Sequence, residues 1–222
     1  MISIIVINFK DPALLRLSLG SLTRLSEEHI PYEIVVIDSA ASTETRNVAV
    51  EEFSTPSFPV RYVPFTENIG YTRGVNEGIR HAHGDYILIV NPDIIPLTGA
   101  IASLQTYLQS HQHVGLVGPQ LLHFDGTRQD SCFRFYKPST ILFRRTPLGK
   151  LPWAKKALAW FAMKDTDTSH TMPVGWLMGS ALMTTKKAIE KIGTMDEQFF
   201  LYMSEVDWAR RFWENGYQVV YH

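Results

Sequence analysis

The sequence predicts an α/β fold with a mostly parallel central sheet and helices on both faces. Three observations predict it. Short, continuous apolar runs rich in β-branched residues recur at Ile2–Asn8, Glu33–Asp38 and Tyr86–Asn91, as expected of strands covered on both sides. Helical patterns separate these runs, and a βαβα order of this kind gives parallel strands with right-handed crossovers. Each run closes on a polar residue (Asn8, Asp38, Asn91), and in open α/β sheets ligands bind outside the carboxyl ends of the strands.

In chain order, Ile2–Asn8 is the first strand. Leucines at 14, 15, 17, 19, 22 and 25 predict a helix over Asp11–Leu25. Glu33–Asp38 is the second strand, Thr43–Phe53 a helix, Val60–Pro64 a short strand and Thr72–His83 a helix. Tyr86–Asn91 is a strongly buried strand, Gly99–Ser110 a helix and Gly115–Gly118 a strand end. Phe133–Lys164 differs in composition. Eight cations and the aromatics Phe135, Tyr136, Phe143, Trp153, Trp160 and Phe161 interleave there, with Pro138, Pro147 and Pro152. It predicts a loop with one short helix near Ala154–Met163. Two readings stand for it: a lid or surface for an anionic or membrane-borne partner, or a solvated excursion with its aromatics tucked onto the core. Beyond it, apolar Pro173–Thr185 leads into a helix over Thr185–Ile192 closed by Gly193. Ser204–Asn215 is then a helix and Tyr217–Tyr221 a strand. The chain reaches His222 on that strand, which suggests a trimmed chain or one that continues further.

The 222 residues suit one large domain, with 1–118 and 119–222 as its two halves. Lys plus Arg number 21 and Asp plus Glu 22, which speaks against a dedicated nucleic-acid binder. The single cysteine, Cys132, allows neither an internal disulfide nor a multi-cysteine zinc site. No run approaches the ~18 apolar residues of a membrane-spanning helix, and the N-terminus lacks the features of a signal peptide. A cytoplasmic location is the expectation.

Four constellations could carry chemistry. Asp38, followed by Ser39-Ala40-Ala41-Ser42, either accepts hydrogen bonds from a nucleoside or caps the next helix. In Asn68–Ile79, glycines 70, 74 and 78 stand with Asn68, Arg73 and Asn76. Glycines permit close backbone approach to a ligand, and a helix N-terminus favours anions. There is no G-x-G-x-x-G and no P-loop, which argues against a dinucleotide-dependent reductase and an ATPase. Asp93, in the Asn91-Pro92-Asp93 turn, is either a hard oxygen ligand for Mg²⁺ or Mn²⁺ held jointly with a diphosphate or a plain turn residue. Ser204 and Asp207 match a capping box, which leaves Glu205 as the better-placed general base. Among the eight histidines, only His222 is kept as a candidate ligand for metal or phosphate.

Together, VVIDSAAS, ENIGYTRGVNEGI, GDYILIVNPDI and GWLMGSALM with IGTMDEQFFLYMSEVDWARRFWENGYQVVY resemble the family-2 glycosyltransferases of GT-A fold, in their bacterial rhamnosyltransferase-like branch. The resemblance runs in order over almost the whole chain. It implies an inverting transfer from a nucleotide diphosphate sugar, dTDP- or UDP-linked, to a hydroxyl of a cell-surface glycan or lipid-linked acceptor. It further implies donor binding by Asn8, Asp38, Asn68, Gly70, Arg73, Asn76 and Asn91. Asp93 is implied as ligand of a divalent cation (Mg²⁺ or Mn²⁺). Glu205 is the implied base, with Asp207 as the alternative. Two positions depart from the family pattern: Asn91 replaces the first aspartate of D-x-D, and Ser204-Glu205 replaces an acidic pair. The enzyme is expected in the cytoplasm or at the inner membrane face, with 133–164 as the membrane contact. Two rival readings stand beside this one. A nucleotidyltransferase would want a glycine-rich turn where NFKDPALL stands. A nucleotide-sugar-binding module that has lost its base would bind donor without turnover.

Overall fold

The structure, a computed structural model, describes residues 1–28 and 30–222, with Ser26–Glu28 as backbone alone. The elements run β1 (Ile2–Asn8), α1 (Pro12–Leu22), β2 (Tyr32–Asp38), α2 (Thr43–Arg46, continuing in wider turns over Asn47–Glu52), β3 (Val60–Pro64), α3 (Gly70–His81), β4 (Tyr86–Val90), α4 (Ala100–Ser110) and β5 (Val114–Gly118). Then come β6 (Cys132–Phe133), α5 (Pro138–Arg145), α6 (Pro152–Phe161), β7 (Met172–Pro173), β8 (Trp176–Leu177), β9 (Ala181–Thr185), α7 (Lys186–Ile192), α8 (Ser204–Glu214) and β10 (Gln218–Tyr221).

Eight strands form one sheet in the order β3-β2-β1-β4-β9-β5-β10-β7. The pairs β3–β2, β2–β1, β1–β4 and β5–β10 are parallel. β9 runs antiparallel between β4 and β5, so a strand from late in the chain joins the first half's sheet. The continuous apolar runs follow from two-sided burial. Ile5, Val35, Ile37, Ile87 and Ile89 face a core under α3, α7 and α8. Ile2, Ile4, Val6, Ile34, Val36, Leu88 and Val90 face a second core under α1, α2 and α4. Trp208 and Phe212 of α8 are fully buried in the first core, each contributing roughly 2–3 kcal/mol of apolar burial.

Phe133–Lys164 differs from the loop with one helix that the sequence suggests. It forms two helices, α5 and α6, joined by a 3₁₀ turn over Pro147–Lys150. The prolines start these helices instead of breaking them. Pro138 and Pro152 occupy the first turn, where the missing N–H is harmless and the fixed φ is already helical. The root of the excursion is aromatic. Phe133 stacks on Trp176 with centroids 4.4 Å apart, and Tyr136 lies 4.6 Å from Phe161. Lys137 and Arg134 lie over Trp160. Cys132 is buried, and burial pushes its thiol up to about 11. No helix among the described residues is long and apolar enough to cross a membrane.

Candidate functional site

The carboxyl ends of β1, β2 and β4 lie side by side, because Asn8 pairs with Asp38 and Val6 with Val90. Asp38 is fully buried, and its own neighbourhood uses both of its oxygens. Oδ1 accepts from Asn8 Nδ2 (3.2 Å) and the Ala40 amide (3.3 Å). Oδ2 accepts from the Ser42 amide (3.2 Å) and the Tyr62 hydroxyl (2.7 Å). Burial, reinforced by Asp38, pushes the Tyr62 phenol well above its usual range. Ser42, and not Asp38, caps α2, accepting from the Thr45 amide at 3.0 Å. Asp38 therefore shapes the 39–42 loop. Beside it, Asn8 Oδ1 and Ser39 Oγ are buried with no hydrogen-bond partner among the described residues.

α3 starts at the same end of the sheet. Asn68 accepts from the Gly70 amide (3.0 Å). Gly70 has φ +76°, and a Cβ there would lie 2.6 Å from the Phe200 carbonyl. Gly74 and Gly78 face the sheet, where a Cβ would meet Ile7 Cγ2 at 3.1 Å and Ile5 Cγ2 at 2.2 Å. The three glycines bring α3 against β1 and the Phe200 loop, so their close approach is to this chain's own backbone and side chains. Asn76 is equally committed. Its amide donates to the Met195 carbonyl (2.8 Å) and Glu197 Oε1 (3.0 Å), and its Oδ1 accepts from the Met195 amide (3.0 Å). Arg73 is exposed one turn into α3 and has no ion pair within 4 Å among the described residues.

Asn91-Pro92-Asp93 is a turn closed by the Ile94 amide on the Asn91 carbonyl (3.1 Å), and the Asn91 amide donates to the Ser180 carbonyl (2.8 Å). Asp93 is exposed. No group of three or more His, Cys, Asp or Glu that could hold a metal occurs among the described residues. A single exposed carboxylate still fits Mg²⁺ or Mn²⁺, hard cations that take most of their oxygens from phosphates and water.

Next to Ser180, the Gly179 carbonyl accepts from the Tyr71 hydroxyl (2.7 Å). The Tyr71 amide in turn donates to the Phe200 carbonyl (3.0 Å). Burial and the nearby Glu205 carboxylate push the Tyr71 phenol up strongly. Glu205 itself, half-buried in the first turn of α8, is pushed up by burial, although the backbone amides of Glu205 and Met203 oppose this. A run of contacts thus leads from the Asp93 turn through Ser180 and Gly179 to Tyr71, and Glu205 lies within electrostatic reach of Tyr71. The sequence reading missed Tyr71. Its place directly after Gly70, in the first turn of α3, was the available signal.

The capping-box reading fails for α8. Met203, with φ +68°, is the N-cap, and Ser204 is already inside the helix and fully buried. Asp207 pairs with Arg211 (2.8 Å), whose guanidinium also donates to the carbonyls of Ile192 and Thr194. Asp207 is thus held in an ion pair, whereas Glu205 has no ion pair among the described residues. His222 uses both ring nitrogens on hydroxyls, Ser103 (2.8 Å) and Thr171 (2.9 Å).

Backbone strain gathers at this end of the sheet. Of the five non-glycine residues with positive φ among the described residues, Lys10, Ala41, Tyr202 and Met203 lie in the segments after β1, after β2 and before α8. Each such residue costs about 1–3 kcal/mol, and strain of this kind concentrates at functional sites.

The sequence pattern described as Glycosyl transferase family 2 matches residues 3–171. The chain belongs to that family. An N-acetylglucosaminyl-diphospho-decaprenol L-rhamnosyltransferase of Mycobacterium tuberculosis is 25% identical over 233 aligned positions, covering 100% of this chain and 73% of the relative. The low-salt glycan biosynthesis hexosyltransferase Agl10 of Haloferax volcanii is 26% identical, covering 95% of this chain and 61% of the relative. These relatives support the rhamnosyltransferase-like branch. Among solved structures, the Pyrobaculum calidifontis mannosyltransferase PcManGT, in complex with GDP-Man and Mn²⁺, superposes with a TM-score of 0.64 at 18% identity. S. aureus TarS 1-349 in complex with UDP-GlcNAc superposes with a TM-score of 0.67 at 14% identity. Both cover 100% of this chain, which spans 56% and 55% of their lengths. The fold is the GT-A arrangement of family-2 glycosyltransferases.

Proposed function

We propose that this family-2 glycosyltransferase moves a sugar, with inversion, from a dTDP- or UDP-linked donor to a hydroxyl of a cell-surface glycan or lipid-linked acceptor. The observation that carries the reading is Glu205: a half-buried carboxyl in the first turn of α8, raised by burial above its ordinary range and within electrostatic reach of Tyr71, whose hydroxyl bonds the Gly179 carbonyl next to Ser180 and the Asp93 turn. A base poised nearer the working pH is the more effective one.

Glu205 takes the proton of the acceptor hydroxyl. The oxygen attacks the anomeric carbon from the face opposite the diphosphate. The new C–O bond forms as the bond to the diphosphate breaks, and the electron pair leaves with the diphosphate. One displacement inverts the centre and ends with the proton on Glu205. Asp93 would hold the divalent cation, which when bound neutralises charge on the departing diphosphate. Arg73 and the N-terminus of α3 supply further positive potential. Asn8 Oδ1 and Ser39 Oγ, buried and unpartnered, are available to the nucleoside, and the 39–42 loop held by Asp38 forms the wall beside them. Asn68 and Gly70 support the start of α3, and Asn91 anchors its turn to Ser180. Asn76 and Asp207 act as scaffold.

Further support comes from similar proteins, one a rhamnosyltransferase of a diphospho-decaprenol-linked sugar and two bound to sugar nucleotides. The test is transfer from a panel of dTDP-, UDP- and GDP-sugars to a polyprenyl-diphosphate-linked N-acetylglucosamine, with the product's anomeric configuration read by NMR. An inverted product from one donor is expected. Donor binding without transfer or hydrolysis would instead favour a nucleotide-sugar-binding module.

A further inference from the structure

The helical hairpin of α5 and α6 has no part in the mechanism proposed above, and its tip has an unusual surface. Thr140 and Phe143 of α5 and Ala154 of α6 turn inward, which leaves Ile141, Leu142, Leu148, Leu151 and Trp153 exposed. Ile141 and Trp153 are 53% and 56% exposed. The tip is nevertheless well built. Trp153 meets Phe143 edge to face at 4.9 Å, and Gly149 packs so tightly that a Cβ would lie 2.2 Å from the Phe143 carbonyl.

Charge surrounds this apolar tip on one side of the balance only. Residues 131–164 contain no Asp or Glu. Arg134 and Lys164, near the root, pair with Asp165 and Asp130. Arg144 donates to the Tyr136 hydroxyl. Arg145, Lys150, Lys155 and Lys156 have no ion pair among the described residues, and they flank the exposed side chains. Exposed leucine, isoleucine and tryptophan ringed by unpaired lysine and arginine match an anionic bilayer. There the apolar groups enter the acyl boundary and the cations meet the headgroups.

We propose that the α5–α6 tip docks the protein on an anionic lipid bilayer. The root of the hairpin stacks on Trp176 of β8, three residues before Gly179. Docking there would hold the candidate site close to the surface at which a lipid-linked acceptor presents its hydroxyl. The inference concerns a surface and does not depend on the transferase reading.

The test is co-sedimentation of the whole chain with vesicles of phosphatidylcholine containing 30% phosphatidylglycerol, against pure phosphatidylcholine. One variant carries Ile141→Ser, Leu142→Ser and Leu148→Ser. The other carries Arg145→Gln, Lys150→Gln, Lys155→Gln and Lys156→Gln. Unchanged circular dichroism and melting temperature show that each variant is folded. Expected are retention on anionic vesicles only, at least tenfold weaker binding in the serine variant, and roughly a hundredfold weaker binding in the glutamine variant and in 0.5 M salt. The proposal is overturned by no retention of the unmodified protein at low salt, by equal retention on neutral vesicles, or by binding unchanged in both variants. A dimer abolished by the serine changes, without vesicle binding, would give the surface to a second copy and overturn it too.

Discussion

The Tyr71 hydroxyl donates to the Gly179 carbonyl over 2.7 Å, and the same side chain lies within electrostatic reach of Glu205. This joins the first turn of α3, the segment before β9 and the first turn of α8 across more than a hundred residues of sequence. Tyr71→Phe removes the donor and leaves a carbonyl without its partner. The expected cost is about 1–3 kcal/mol, read as a lower urea midpoint with an unchanged m-value.

Glu205→Gln keeps the shape and removes the proposed base. The expected loss in kcat is about 10²–10⁴-fold, with nucleotide affinity unchanged. Burial raises this carboxyl above its ordinary value. Its charged form therefore opposes folding, and the associated stability is full below the ordinary glutamate range and is lost as pH rises through the raised value. Glu205→Gln should raise the melting temperature at pH 7 and leave it unchanged near pH 4. The acid limb of the activity profile should likewise lie above the ordinary glutamate range. Equal melting temperatures at pH 7 would contradict the burial argument.

Asn76 separates scaffold from donor contact. Asn76→Ala breaks three hydrogen bonds to Met195 and Glu197, at an expected cost of about 2–4 kcal/mol. Nucleotide affinity, measured by calorimetry on the folded fraction, should not change. A weakened nucleotide with intact stability would return Asn76 to the donor site.

Gly78→Ala tests the close packing of α3 on β1. The added methyl would sit 2.2 Å from Ile5 Cγ2, a branched group that cannot swing away. Strain of about 1–3 kcal/mol outweighs the gain in helix propensity of up to ~1 kcal/mol. The melting temperature should fall by roughly 2–4 °C for each net kcal/mol. A rise would mean that the helix stands further from the sheet.

The strands of the first half were legible because two-sided burial writes itself as uninterrupted Ile and Val, in Ile2–Asn8 and Tyr86–Val90 alike. Their ends located the candidate site for the same reason. Side-chain assignments were harder. Glycines 70, 74 and 78 read as ligand-facing, although their spacing of four already places them on one helical face and so points to packing. Asn76 was ambiguous because its partners lie 119 residues away, and no local pattern encodes them. The helix α5 was hidden because Pro138 reads as a breaker unless its position in the first turn is known.

The most direct measurement is thermal stabilisation by UDP, dTDP, GDP, ADP and CDP, each with and without Mn²⁺, in the unmodified protein and in Asp93→Ala. Ligand at 100 times its Kd adds about 2.7 kcal/mol, or roughly 5–10 °C for a chain of this size. One nucleotide should raise the melting temperature, more so with Mn²⁺, and Asp93→Ala should abolish the metal-dependent increment while leaving the free protein's melting temperature unchanged. A folded sample that no nucleotide stabilises, with or without metal, would contradict a donor site at the carboxyl ends of these strands.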